Sequence, residues 1–201
     1  MRTLRLFALA LLVLGVVPAA AQTPPQTQAP TPLPSQPSEQ KTGFSGDELV
    51  NAGHRFFGTV SRGLATVIEK ATSQWGQPNG YILGQEGGGA FVAGLRYGEG
   101  TLFTRNAGDL KVYWQGPSLG FDIGGEGART MMLVYDLPST EAMYQRFGGV
   151  DGSAYFIGGF GMTALTANKI VVVPIRSGVG FRLGASIGYL KFTPKPTWNP
   201  L

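Results

Sequence analysis

Glycine recurs through this chain at places where a β-strand would otherwise set a side chain, as in GPSLGFDIGGEGARTMMLVYDL, residues 116–137. There are 31 glycines in 201 residues, about twice the usual share. Inside a strand, glycine weakens pairing unless it marks a bulge, a sharp corner or a close backbone approach. A phosphate cradle needs something else: a strand, a Gly-rich turn, then a helix N-terminus with Lys and Ser or Thr after the last glycine. Here Gly120, Gly124, Gly125 and Gly127 run into the strand-like RTMMLVYDL, and no Lys follows them. Gly87-Gly88-Gly89 likewise runs into AFVAG. The glycines are read as bends in a tightly curved sheet.

From Gly76 onward the apolar rhythm is alternating. YILGQ, AFVAGLRYG, GTLFTRN, LKVYWQG, SLGFDIGG, RTMMLVYDL, SAYFIGGFGMTALTA, KIVVVPI and GVGFRLGASIGYLKF are strand-like and separated by turn signals. So many short strands at even spacing predict a mainly β fold, a small soluble antiparallel β-barrel, closed or nearly so. A long N-terminal helix precedes it. Ser45-Gly46-Asp47-Glu48 reads as a capping box. Leu49, Ala52, Phe56, Val60, Leu64, Val67, Ile68, Ala71 and Trp75 then recur at helical spacing up to Gly76. Gly53, Gly58 and Gly63 weaken that helix by about 1 kcal/mol each relative to Ala, which close backbone packing would explain. A short inserted helix is expected after Pro138, with Ala142, Met143, Tyr144 and Phe147 as its apolar face.

The first residues are those of an export signal. Arg2 and Arg5 precede an apolar run from Leu6 to Val17, then Pro18 and Ala19-Ala20-Ala21. That run is shorter than the roughly 20 residues of a spanning helix, so cleavage after Ala21 and release into the periplasm, with no transmembrane anchor, are expected. Residues 22–43 are Pro, Gln and Thr with almost no apolar content, read as a disordered linker. Residues 44–201 form one domain of uniform composition.

Charge and residue counts narrow the chemistry. Removing Arg2 and Arg5 from 16 Lys and Arg leaves 14 against 12 Asp and Glu, so nucleic-acid binding gains no support. Cys is absent, which excludes thiol catalysis and cysteine metal sites. One histidine, His54, excludes a multi-histidine metal site or a His-based triad within the chain. No catalytic residues, metal site or cofactor are assigned. Carboxylates such as Glu86, Glu99, Asp122, Glu126 and Asp136 are scattered; a facing pair would suit a cell-wall glycosidase, but no spacing calls for one. The candidate ligand-binding residues are Arg96, Arg129 and Arg182, which interrupt alternating strands, and His54 at the border of the helix's apolar face. An inward arginine needs a carboxylate or an anionic ligand, and an outward one beside apolar neighbours suits a phospholipid headgroup.

AGHRFFG (52–58), SQWGQPNGYILGQEGGGAFVAGLRYGEGTL (73–102), GARTMMLVYDLP (127–138) and IGYLKFTPKPTWNP (187–200) closely resemble the alphaproteobacterial envelope integrity protein A family. The resemblance implies a periplasmic β-barrel that supports the cell envelope, without an established enzymatic activity and without catalytic residues to carry over. More distantly, GPSLGFDIGGEGARTMMLVYDLPSTEAMYQRFG, GSAYFIGGFGMTALTA and SGVGFRLGASIGYLKF are similar to SYLF lipid-binding domains, which implies phospholipid contact. Arg129 stands where that pattern carries an acidic residue, so no specific lipid site transfers. The expectation is a non-enzymatic periplasmic protein that binds an envelope lipid or another amphipathic component. The alternative is a protein that binds a cell-wall or envelope protein partner.

Overall fold

The computed structural model describes residues 42–58, 61–88, 95–105, 107–117, 128–150, 153–177 and 188–197. The segment read as an export signal, nearly all of the segment read as a linker, and Arg182 lie outside the described residues. Two helices, α1 (Gly46–Phe57) and α2 (Arg62–Trp75), precede ten strands. These are β1 (Gly80–Gly88), β2 (Leu95–Thr104), β3 (Asp109–Pro117), β4 (Ala128–Tyr135), β5 (Arg146–Gly149), β6 (Tyr155–Ile157), β7 (Phe160–Met162), β8 (Leu165–Ala167), β9 (Ile170–Ser177) and β10 (Tyr189–Thr193). Eight of them, in the order β4-β1-β2-β3-β10-β5-β8-β9, close through pairing of β9 with β4. Every described pairing is antiparallel. The expected barrel is therefore present and closed.

The single long helix expected from the periodicity is two helices. Gly58 takes a left-handed φ of 75° and caps α1, its N–H bonding to the carbonyl of His54. Apolar spacing runs on across this break, which is why periodicity alone does not show it. Of the other two glycines, Gly53 lies under the Leu64 side chain and Gly63 against the backbone of Gly158, so a Cβ on either would collide. The capping box forms as expected: Ser45 Oγ accepts from Glu48 N–H at 3.3 Å, and Ser45 N–H donates to Glu48 Oε2 at 2.8 Å. Arg105, at the far end of β2, then ties α1 to the barrel by donating to Glu48 at 2.6 Å and to the Gly43 carbonyl at 3.1 Å.

The short inserted helix shrinks to one 3-10 turn, Glu141–Met143, with no side-chain cap. Tertiary burial decides this: Met143 and Phe147 are both fully buried in the barrel, and Phe147 reaches it from strand β5.

β7 and β8 behave as one strand against β9, since Phe160↔Ser177 through Ala167↔Ile170 keep a single register. Asn168 and Lys169, both at positive φ (48° and 71°), make the two-residue turn into β9. On its other edge this strand meets β5 at one end and β6 at the other. Ser153 fills the junction, its Oγ accepting from Ala164 N–H at 3.0 Å.

Alternation sorts the side chains into two cores, because successive residues of a strand point to opposite faces. Ile82, Leu102, Val112, Met132, Val134, Val172, Leu190 and Phe192 face into the barrel with Trp114 and Phe147. Met131, Leu133, Tyr135, Val173 and Ile175 face out and are covered by Leu49, Phe57, Leu64, Val67 and Ile68 of the two helices. β4 is buried on both faces for this reason. An eight-stranded barrel leaves an interior that side chains just fill.

Candidate functional site

The barrel interior changes character along its axis. At one end Leu137 and Met143 plug it with apolar side chains, and deeper in Phe147 packs edge-on against Phe192, which lies beside Trp114. Toward the other end the inward positions are Glu86 on β1, Arg96 and Gly98 on β2, Trp114 on β3, Thr130 on β4 and Arg176 on β9. Paired residues share a face, so register fixes these directions: Glu86↔Gly98↔Trp114 form one row and Gly84↔Thr130↔Arg176 the next. The ends of β1, β3 and β9 and the starts of β2, β4 and β10 share this rim. The Gly-rich stretches 89–94, 118–127 and 178–187 connect them and lie outside the described residues.

Glu86 organises the cluster. Arg176 grips it with two parallel bonds, Nε–H to Oε2 at 2.7 Å and Nη2–H to Oε1 at 2.9 Å. This fork-to-carboxylate arrangement is the strong form of the ion pair. Trp114 Nε1–H donates to Oε1 at 2.9 Å, and Arg96 Nε stands 3.7 Å from Oε2. Burial by itself would push the Glu86 carboxyl up; the Arg176 charge and its hydrogen bonds, then Arg96 and Trp114, overcome that and hold it below the usual carboxylate range. Glu86 is therefore a fixed anion, poorly suited to proton transfer. Trp114 reaches it because its indole lies against Gly84 and Gly98, where a Cβ would collide with the ring. Here the glycines make a floor for a tryptophan.

Thr130 stands directly opposite Arg176 in the ladder. It is fully buried, and its Oγ1 has no hydrogen-bond partner among the described residues. A buried hydroxyl left in that state costs about 1–3 kcal/mol.

The arginines and the histidine singled out in the sequence do not converge. Arg96 belongs to the interior cluster, 18% exposed and nearest the rim. Arg129 points to the outer face, exposed, and donates from Nη1 to the Phe56 carbonyl at 2.9 Å, at the C-terminal end of α1. His54 bridges the break between the helices, its Nε2 3.2 Å from Ser61 N, whose N–H it accepts. Arg182 lies outside the described residues. The sequence singles out neither Arg176 nor Thr130, and Glu86 stands in it only as one scattered carboxylate. Their signal was in the alternation: Glu86 shares a face with Ile82, and Arg176 with Val172 and Pro174. An inward carboxylate and an inward guanidinium call for each other.

Other features offer less. The open cleft at the opposite rim, between Asn79, Thr104, Arg105 and Pro138, holds ≈ 130 Å³, well below the roughly 300–1,000 Å³ of ordinary ligand pockets. No group of three or more His, Asp or Glu suited to a metal ion occurs among the described residues, and no described helix is long and apolar enough to cross a membrane.

Comparison with known proteins agrees with this architecture. The crystal structure of a β-barrel-like, uncharacterized protein from Brucella abortus is similar with a TM-score of 0.76 and 57% sequence identity, covering 80% of this chain and 99% of that one. No curated protein matches. The family model for envelope integrity protein A matches residues 42–201, and the chain belongs to that family.

Proposed function

We propose that this chain is exported to the periplasm, cleaved after Ala21, and supports the envelope by binding a lipid or other amphipathic component rather than by catalysis. The family's description suggests an envelope role. The observation that carries the binding reading is the polar cluster held in the barrel mouth: Glu86, Arg96 and Arg176 are charged groups that an apolar core of equal volume would not need. Barrel mouths are common ligand sites. The apolar end is filled by side chains, so a ligand engages the mouth and not a deep hydrocarbon cavity. Glu86, clamped as an anion, argues against a glycosidase, which needs one carboxyl able to donate a proton. Glu99, Asp109, Asp136 and Glu141 are all exposed.

Native mass spectrometry of the protein recovered from a periplasmic extract tests this reading. A defined amphiphile released on denaturation in stoichiometric amount supports it. A bare mass that stays bare after exposure to envelope lipids contradicts it, and the search moves to a protein partner.

A further inference from the structure

Resting on the binding reading above, we propose that the barrel mouth is a seat for an oxyanion, a phosphate or carboxylate group, carried on an amphiphile whose apolar part lies against Phe156.

The strand registers place the parts in one row. Phe156 pairs with Gly161, Gly161 with Arg176, Arg176 with Thr130, and Thr130 with Gly84. All five positions share the inner face of the sheet. Neighbouring strands are about 4.8 Å apart, so Phe156 and Arg176 are separated by about 10 Å of backbone, with only a glycine between them. Tyr155 and Ile157 point the other way and pack against the helix layer. Phe156 is 53% exposed, and with Val150 it is one of two large hydrophobic residues exposed among the described ones.

Three features select an anion. Arg176 is 5% exposed and uses Nε and Nη2 on Glu86, leaving its Nη1 donors without a partner among the described residues. The bidentate grip fixes that guanidinium, so its remaining donors are already aimed. Beside it, the fully buried Thr130 hydroxyl lacks a partner, and a hydroxyl can donate to an oxyanion directly. Glu86 occupies the Nε–Nη2 edge of Arg176 and repels a second anion there, so the proposed seat uses Nη1 together with the paired Thr130 hydroxyl. Phe156, at the end of the same row, supplies the apolar contact. A free phosphate would use Arg176 and Thr130 alone, whereas an acidic amphiphile uses Phe156 as well.

Calorimetric titration of the protein as purified from the cell, in phosphate-free buffer, separates these cases. The probes are inorganic phosphate, dihexanoyl phosphatidic acid and non-ionic octyl glucoside. The expected result is one-to-one saturation by phosphatidic acid, weaker saturation by phosphate and none by octyl glucoside. Thr130→Val should weaken both phosphate-bearing probes about tenfold, while its thermal midpoint stays at or above that of the parent. Phe156→Ala should weaken phosphatidic acid about tenfold and leave phosphate unchanged. If phosphate saturates and Phe156→Ala affects neither probe, the amphiphile is overturned. If neither probe saturates, or Thr130→Val binds both as the parent does, the seat is overturned. A bound periplasmic lipid together with a silent titration would place the ligand elsewhere; saturation together with a bare periplasmic mass would instead defeat the envelope-lipid reading.

Discussion

The two ends of the barrel interior are built from the same strands by opposite rules. On β1, β3 and β9 the apolar end takes Ile82, Val112 and Val172, while the same inward faces carry Glu86, Trp114 and Arg176 toward the mouth. The apolar end gains from burial alone, roughly 1.5–3 kcal/mol for each large side chain. The mouth holds desolvated charges whose attraction is spent largely on offsetting their own burial. Stability explains the first end. At the second the charges about break even, so stability alone gives no reason for them, and such a cluster is where binding is expected.

The largest effects should differ in kind between the two ends. Met143→Ala opens a cavity in the apolar end and should cost about 2–5 kcal/mol in urea unfolding, with no second deletion restoring it. Glu86→Ala should cost a similar 3–5 kcal/mol, because Arg176 is left buried and uncompensated. Removing Arg176 as well should recover part of that loss, so that the double variant is more stable than Glu86→Ala alone. If the double variant is instead the weaker by the full cost of both, the mouth is built like the other end and the comparison fails. Next in size, Gly98→Ala should cost about 1–3 kcal/mol by driving the indole of Trp114 off its floor, seen as lost stability with a shifted tryptophan emission.

Much of this was legible in the sequence, and the parts that were not share a cause. The capping box at Ser45 and Glu48 and the alternating strands depend on local spacing, and both are present, while Gly120, Gly124, Gly125 and Gly127, read as bends, lie outside the described residues. The break at Gly58 escaped because apolar residues keep helical spacing on both sides of it. The inserted helix after Pro138 failed because the barrel interior captures Phe147 as a strand residue. The mouth escaped for a similar reason. Glu86 and Arg176 lie 90 residues apart in the chain, and only the register of β1, β4 and β9 brings them onto one face. Arg96 could be found alone, as a charge inside an alternating strand, but its partner could not.

Acid should act on both ends of the molecule in one direction. Glu48 is held at about 2, first by its hydrogen bond from Arg105 and then by Ser45 N–H, and Glu86 is also held below its usual value. Each carboxyl is a weaker proton acceptor when folded, so the unfolded chain takes up more protons as pH falls. Stability should be full above about pH 5 and decline as pH drops toward the folded value, about 2 for Glu48. Denaturation midpoints measured from pH 7 to 3 check this, and a midpoint that rises with acid contradicts it. The smallest effect belongs outside the barrel. Arg129→Ala removes one exposed bond to the end of α1 and should cost about 0.3–1 kcal/mol, with binding at the mouth unchanged.

The central claim is that the mouth carries polar groups the resting fold does not need, and Thr130 tests it most directly. Urea unfolding of Thr130→Val should show a gain of about 1 kcal/mol over the parent, because a buried hydroxyl without a partner is replaced by a methyl of the same shape. A loss of that size would mean that the hydroxyl is already engaged in the resting fold, and that the mouth, like the apolar end, is there to hold the barrel together.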